Sequence, residues 1–314
     1  MNRTQFIFTV DVEWDRKAKG SSVSVDNLSC WQGLHDVCLR YAIKPTYLCS
    51  YEVLSSPAFN DFIRNNDAQH YEIGAHLHPW TTPPFIDQDD RVFQSFPSEL
   101  QEHIFREKMT VLTNAFLDCG IKPFSYRAGR FGFDKEIQTN VLLDLGFKVD
   151  CSVTPGVDWS QVKGRSVGGP DFRGFSRKPF YIDRKGNMHD TYFDDALLEV
   201  PLTIFDKRQT LLWLRPMPQY KRYGLLKYMT LNLSELTRLC AKNLAGEDGV
   251  VLQMFMHLNE LDAKANPYFT SKYKVQKLIK FLKTFFAFLN SQRIDPVTLK
   301  ELYATLRSKE PVCA

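Results

Sequence analysis

The 314-residue sequence has no CxxC pair, no GxGxxG, no internal repeat and no low-complexity tract. Its longest strongly apolar run, Gly249 to Met256, is far short of the roughly 20 residues a membrane-spanning helix needs. At the N-terminus only Phe6 to Val10 is apolar before Asp11 interrupts, which is no signal-peptide core. The seven cysteines (30, 38, 49, 119, 151, 240 and 313) have neither thiolate-zinc spacing nor an even count for a disulfide framework. They read as small apolar residues, and with the missing leader they give the expectation of a soluble, cytoplasmic protein. Charge is also scarce in one sense: 40 Lys and Arg against 36 Asp and Glu leave +4, too mild for a nucleic-acid binder. What remains, 44% hydrophobic and 24% charged residues, is a chain able to bury a sizeable core.

The pattern that is present is a short apolar strand followed by a longer helical stretch. Strands are expected at Gln5–Val12, Lys44–Cys49, Tyr71–Ala75, Pro123–Tyr126, Phe147–Val153, Leu197–Ile204 and Val250–Met256. Helices are expected at Val25–Tyr41, Pro57–Asn65, Ser98–Leu117 with Ser98 as N-cap and Gly120 as its stop, Asp134–Leu145 stopped by Gly146, Asn232–Leu244, Tyr273–Leu289 and Pro296–Leu306. Thr154 to Asp195 reads as one long loop, and loops of that length usually serve a function. Seven βα units predict an α/β fold with a parallel sheet, closed or nearly closed into a barrel. A doubly wound sheet is the alternative, but no dinucleotide fingerprint follows the first strand. The chain reads as a single domain, residues 1–314, with insertions around 156–195 and 206–248.

The polar residues fall at the strand ends. The first strand ends in Asp11, Glu13 and Asp15, the third runs into His76 and His78, and the fourth into Arg127 and Arg130. The fifth carries Asp150, and the seventh ends in His257 with Glu260 just after. In a parallel barrel these C-terminal ends converge on one rim. Residues i and i+2 of an extended segment face the same way, so His76 and His78 can reach one point. Two histidines and a carboxylate with open positions make a hydrolytic metal site. Asp11 and Glu13 share the same geometry, and two buried carboxylates need a cation opposite them, which a metal and Arg127 would supply. Asp15 reads as the start of a polar loop. The histidines at 35, 70, 103 and 189 have no such context.

In their order, the segments FTVDVEWD (8–15), EIGAHLHPW (72–80), YRAGRFG (126–132), DCSVTPGVDW (150–159), LLEVPLTI (197–204) and MFMHLNEL (254–261) resemble the polysaccharide deacetylase family. The resemblance spans roughly Phe6 to Leu306. It implies a distorted (β/α)7 barrel, a divalent metal and hydrolysis of an amide or ester on a sugar. By resemblance Asp11 is the general base, Arg127 the residue that orients it, and His257 the general acid. The family's second Asp is Val12 here, so Glu13 stands as carboxylate ligand beside His76. The family's second metal histidine falls on Trp80, so His78 substitutes. Arg130 sits where the oxyanion-hole amide is expected. Asp150 and Trp159 resemble a motif in which an acid partners the histidine and an aromatic shapes the pocket, with Trp80 also on the substrate side. Zinc suits paired imidazoles, and cobalt, nickel or iron would fit the same ligands.

The expected function is therefore metal-dependent removal of an N-acyl group, acetyl first, from a sugar of a polysaccharide or glycan precursor. Two alternatives stand beside it: an amidohydrolase acting on a non-sugar amide of ureide type, and a catalytically silent glycan-binding barrel. The segment 206–228 carries Lys221, Arg222 and Lys227 among Trp213, Tyr220 and Tyr223, which a solvated surface would explain. Its sharper reading is peripheral contact with an anionic membrane bearing a lipid-linked glycan. That reading predicts binding to anionic liposomes that weakens with salt and on replacing Lys221, Arg222 and Lys227 by Gln. Equal sedimentation with neutral and anionic liposomes at low salt would leave only the solvated surface.

Overall fold

The computed structural model describes residues 4–16, 23–86, 94–206, 223–225, 250–292 and 294–308. β1 (Gln5–Val12) is buried along its whole length, as expected of a strand covered on both faces. It lies between β11 (Val251–His257) and β2 (Pro45–Cys49), parallel to both. β3 (Glu72–Leu77), β4 (Ser125–Ala128), β5 (Val149–Asp150) and β8 (Leu197–Glu199) continue the parallel ladder, in the order β11-β1-β2-β3-β4-β5-β8. Beyond β8 the chain curls back to β11. There the Thr203 amide donates to the Gln253 carbonyl at 3.3 Å, and the Gln253 amide donates to the Thr203 hydroxyl at 2.9 Å. Seven parallel strands curled into a distorted barrel match the expected architecture.

Alternation along β1 divides the interior. Phe6, Phe8, Val10 and Val12 join the larger apolar cluster on the helix side. Phe8 meets Phe286 of α6 (Lys272–Ser291) edge-on at 5.2 Å, and Phe6 meets Phe285 at 5.9 Å. The odd residues face the barrel interior. Ile7 packs with Leu48, Val149 and Leu198, and Val297, Leu299, Leu302 and Tyr303 plug that end. The last three belong to α7 (Leu299–Arg307), which opens with a capping box between Thr298 and Glu301. With the N-terminal end of the barrel filled by apolar groups, Thr9, Asp11 and Glu13 lead up to the other end.

Three local expectations change. The stretch 154–195 is not all loop, because β6 (Phe180–Ile182) and β7 (Met188–His189) form a hairpin and β6 pairs antiparallel with β8. Strands of two and three residues are too short to show a period in sequence. The long helix begins at Glu102, as α4 (Glu102–Asp118), and not at Ser98. Residues Pro97–Glu99 form a separate 3-10 turn, since Glu99 turns away to accept backbone N–H groups from Phe96, Arg165, Ser166 and Val167. The helix expected over 25–41 is a 3-10 turn at Asp26–Cys30 followed by α1 (Trp31–Arg40). The expected helix Asn232–Leu244 and most of the basic, aromatic stretch 206–228 lie outside the described residues. Of the latter, β10 (Tyr223–Leu225) pairs antiparallel with β9 (Ile204–Asp206). No helix among the described residues is long and apolar enough to cross a membrane.

On α1, His35 is buried, with Nδ1 3.2 Å from the Tyr47 hydroxyl and ring edges on Phe62 and Tyr71. Burial pushes its pKa below the usual histidine value. The unfolded chain, with an imidazole near the ordinary pKa of about 6.5, then binds a proton more readily than the folded one. Its contribution is present above that pH and is lost as the pH falls through it. Denaturant unfolding of His35→Phe should show a shallower loss of stability between pH 7 and 5 than wild type. An unchanged slope would assign the acid sensitivity elsewhere.

Candidate active site

Register puts the polar residues opposite one another. Asp11 is the β1 partner of His257 on β11, and His76 on β3 is the partner of Arg127 on β4. Curvature does the rest. Arg127 is fully buried and reaches across the barrel to Asp11, with Nη1 2.7 Å from Oδ1. Its Nη2 donates to Thr9 Oγ1 at 2.8 Å, and its Nε to the Cys151 carbonyl at 3.1 Å. Burial works against ionising Asp11, but the Arg127 charge, with help from His76, holds its carboxyl below the usual range.

Glu13, His76 and His78 are buried, and one donor atom from each lies within 4.8 Å of the others. Glu13 Oε2 is 2.6 Å from His78 Nε2 and 3.6 Å from His76 Nε2. The His76 ring is fixed because its Nδ1 donates to the Arg127 carbonyl at 3.0 Å, which leaves Nε2 facing the cluster, and the carboxylates of Asp11 and Glu13 raise its pKa against the effect of burial. Burial, reinforced by the neighbouring His76, pushes His78 down to about 4, so its imidazole is neutral. Burial opposes the charge on Glu13 as well, but Arg16 and the histidines hold its pKa well down. Two imidazole nitrogens and one carboxylate oxygen on a common point are a donor set that fits a divalent ion.

Around this centre the remaining residues divide. His257 Nε2 is 3.7 Å from Asp11 Oδ2, and its Nδ1 is 3.1 Å from Glu260 Oε1. The acid beside His257 is therefore Glu260, three residues on, and not Asp150. Asp150 accepts from the Ser152 hydroxyl at 2.7 Å and lies in register with Glu199 of β8. Burial raises both of these carboxyls, and Glu199 most, because a second charge beside Asp150 is unfavourable. The expected partnership of Asp150 with the histidine gives way because β5 is separated from β11 on both sides of the curled sheet.

Arg130 is in the left-handed region (φ 54°), as is Phe131 (φ 60°). Its guanidinium sits 3.9 Å from the Phe96 ring centre and donates to the carbonyls of Gln94 and Lys163, away from the cluster. Trp159 stacks on Phe131 at 5.9 Å, Phe131 meets Phe255 at 5.4 Å, and Phe255 meets His257 at 5.6 Å. An aromatic file thus runs from Trp159 to His257. Trp80 packs 4.4 Å from the His78 ring. The loop that carries it is tied down by buried Lys108, whose ammonium donates to the carbonyls of Pro79, Thr82 and Pro84. Asp15 is a buried anchor, accepting from Ser24 and from both the backbone and side chain of Asn27. Arg16, Lys108 and Glu199 were not identifiable from sequence. Arg16 belongs in sequence to the polar loop that Asp15 begins, Lys108 carries no signal within its helix, and only the fold brings Glu199 beside Asp150.

No protein-family model matches the sequence, and no curated protein matches it. Solved structures do. A Parabacteroides distasonis protein assigned as a glycoside hydrolase or deacetylase superposes with a TM-score of 0.67 at 12% identity, over 98% of this chain and 72% of its own. A Mycobacterium smegmatis protein assigned as a polysaccharide deacetylase does so with a TM-score of 0.54 at 13% identity, over 98% and 91%. This chain has the polysaccharide deacetylase fold. The same fold extends to a 4-alpha-glucanotransferase from Thermococcus litoralis, with a TM-score of 0.59 and 12% identity over 97% of this chain and 40% of that one. A deacetylase fold therefore leaves the chemistry to be argued from the site.

Gly129 offers a check on that site. A β-carbon there would overlap His78 Nδ1 and lie 2.6 Å from the Leu77 carbonyl oxygen. Gly129→Ala should cost about 1–3 kcal/mol of stability through overpacking and displace the His78 ring. Zinc retention measured after gel filtration should fall sharply, and full retention would show that His78 is not needed at the centre.

Proposed function

We propose that this protein is a metal-dependent hydrolase that removes an acyl group, acetyl first, from a carbohydrate. The observation that carries the reading is the convergence of Glu13, His76 and His78 beside the Arg127–Asp11 pair and His257, all at one end of the barrel. A divalent ion held by Glu13, His76 and His78 would polarise the acyl carbonyl and lower the pKa of an attacking water. The chain's own residues do the rest. Arg127 holds Asp11 Oδ1, which leaves Oδ2 to accept the proton of that water. His257, held at Nδ1 by Glu260, delivers a proton from Nε2 to the departing amine or alcohol. Without that proton an amine is a very poor leaving group. Trp159 and Phe131, both half-buried and backed by Phe255, supply apolar faces for a sugar ring. Arg130 and Phe131, both in the left-handed region, form the turn that presents this pair.

A second reading, the silent glycan-binding barrel, is favoured by one specific contact. Arg16 Nη2 lies 2.9 Å from His257 Nε2, so that nitrogen accepts a hydrogen bond and carries no proton to give.

Metal analysis together with acetate release from N- and O-acetylated sugars tests the primary reading. His76→Ala and His78→Ala should lose metal and all turnover. Asp11→Asn should keep metal and lose roughly 10²-fold or more in turnover, the usual share of a general base. Metal retained in both histidine variants, or no acetate released from any substrate by the loaded protein, would overturn it.

A further inference from the structure

Arg16 is the one residue of the cluster that the deacetylase chemistry above does not use. It follows Asp15, whose buried carboxylate fixes the local chain, and its side chain folds back over the end of β1. Nε donates to Glu13 Oε1 at 2.7 Å, and Nη2 to His257 Nε2 at 2.9 Å. Its side chain is 30% exposed, whereas that of Glu13 is fully buried. The guanidinium therefore closes the solvent side of a carboxylate whose other oxygen faces His76 and His78.

Charge counting gives this contact its meaning. Two carboxylates point into the centre, Asp11 and Glu13, and each is matched at 2.7 Å by its own guanidinium, Arg127 and Arg16. An incoming cation therefore meets carboxylates whose charge is already compensated. Asp11–Arg127 is needed to set up a base, but Glu13–Arg16 is not needed to shape a ligand. Asn259 Nδ2 already lies 3.3 Å from Glu13 Oε1, and His78 holds Oε2. Arg16 thus adds charge at the site without being the sole support of Glu13's geometry.

We propose that Arg16 is a built-in counter-cation that weakens divalent-metal binding at Glu13, His76 and His78. The inference rests on the metal reading above. Two effects oppose one another when Arg16 is removed. A hydrogen bond that orients Glu13 is lost, and one positive charge next to a divalent ion disappears in a buried, poorly screened place. Because Asn259 remains on Oε1 and the ion itself would take Oε2, the charge effect wins and binding tightens. The same substitution frees His257 Nε2 from its donor.

The test is zinc titration of the full chain by calorimetry and chelator competition, in wild type, Arg16→Met and Arg16→Lys. Arg16→Met should bind zinc roughly tenfold or more tightly than wild type, while Arg16→Lys, which keeps the charge, stays within about threefold of it. Binding by Arg16→Met with none by wild type would be the extreme form of the same result. Arg16→Gln, which retains a donor for Glu13, serves if the Met variant does not fold. Wild-type binding with equal or weaker binding in the charge-removing variants would overturn the proposal and leave the metal reading intact. No zinc bound by any of the proteins would overturn the metal reading and the proposal together.

Discussion

The ion pair between Arg127 and Asp11 is the constraint on which the rest of this structure depends. Both groups are buried, and they come from strands 116 residues apart in sequence. A buried carboxylate or guanidinium alone costs several kcal/mol, so neither can be accommodated unless the sheet curls far enough to bring them together. Curling, in turn, is what brings the ends of β1, β3, β4 and β11 to a common point. The Thr9 hydroxyl and Cys151 carbonyl satisfy further guanidinium protons, which makes the pair a brace across the barrel as well as a part of the site.

The two ends of the barrel follow from that arrangement. One is filled by Ile7, Leu48, Val149 and the residues of α7, a conventional apolar plug. The other gathers carboxylates, imidazoles and guanidiniums that would be ruinous there if unmatched. Each buried charge has a partner: Asp11 has Arg127, Glu13 has Arg16 and His78, and Asp150 has Ser152 and Glu199, whose carboxyl burial and the Asp150 charge raise well above its usual pKa. Stability and chemistry thus draw on the same contacts. The cost falls on the backbone at Arg130 and Phe131, which hold left-handed conformations at the site's edge.

The candidate site differs from what the resemblance alone implies in how its charges are shared. The histidine at the end of β11 is supported by Glu260 from its own loop, while Asp150 belongs to a carboxyl pair elsewhere in the barrel. Arg130 contributes its backbone turn, because its guanidinium is committed to Phe96 and two carbonyls. The pairing of Glu13 with Arg16 is a local arrangement of this chain, made possible by the same i, i+3 closeness that lets His257 meet Glu260.

Sequence by itself determined the parallel strands and which residues end them. Apolar runs with a period of two and strand-terminal polar residues are local features, so Asp11, Glu13, His76, His78, Arg127 and His257 were legible as one rim. It also carried the helix ends at Gly120 and Gly146, both at positive φ. It could not yield the short hairpin in 154–195, because two- and three-residue strands leave no period. Nor could it distinguish Arg16 and Lys108 from surface charges, since burial of a cation depends on which carboxylate or carbonyls the chain brings to it. Tertiary structure alone decided the distant partnerships: Glu199 beside Asp150, His257 within reach of Asp11, and Lys108 on the carbonyls of Pro79, Thr82 and Pro84. Electrostatic partnership is a matter of distance in space, and a one-dimensional pattern holds no distance beyond its nearest neighbours.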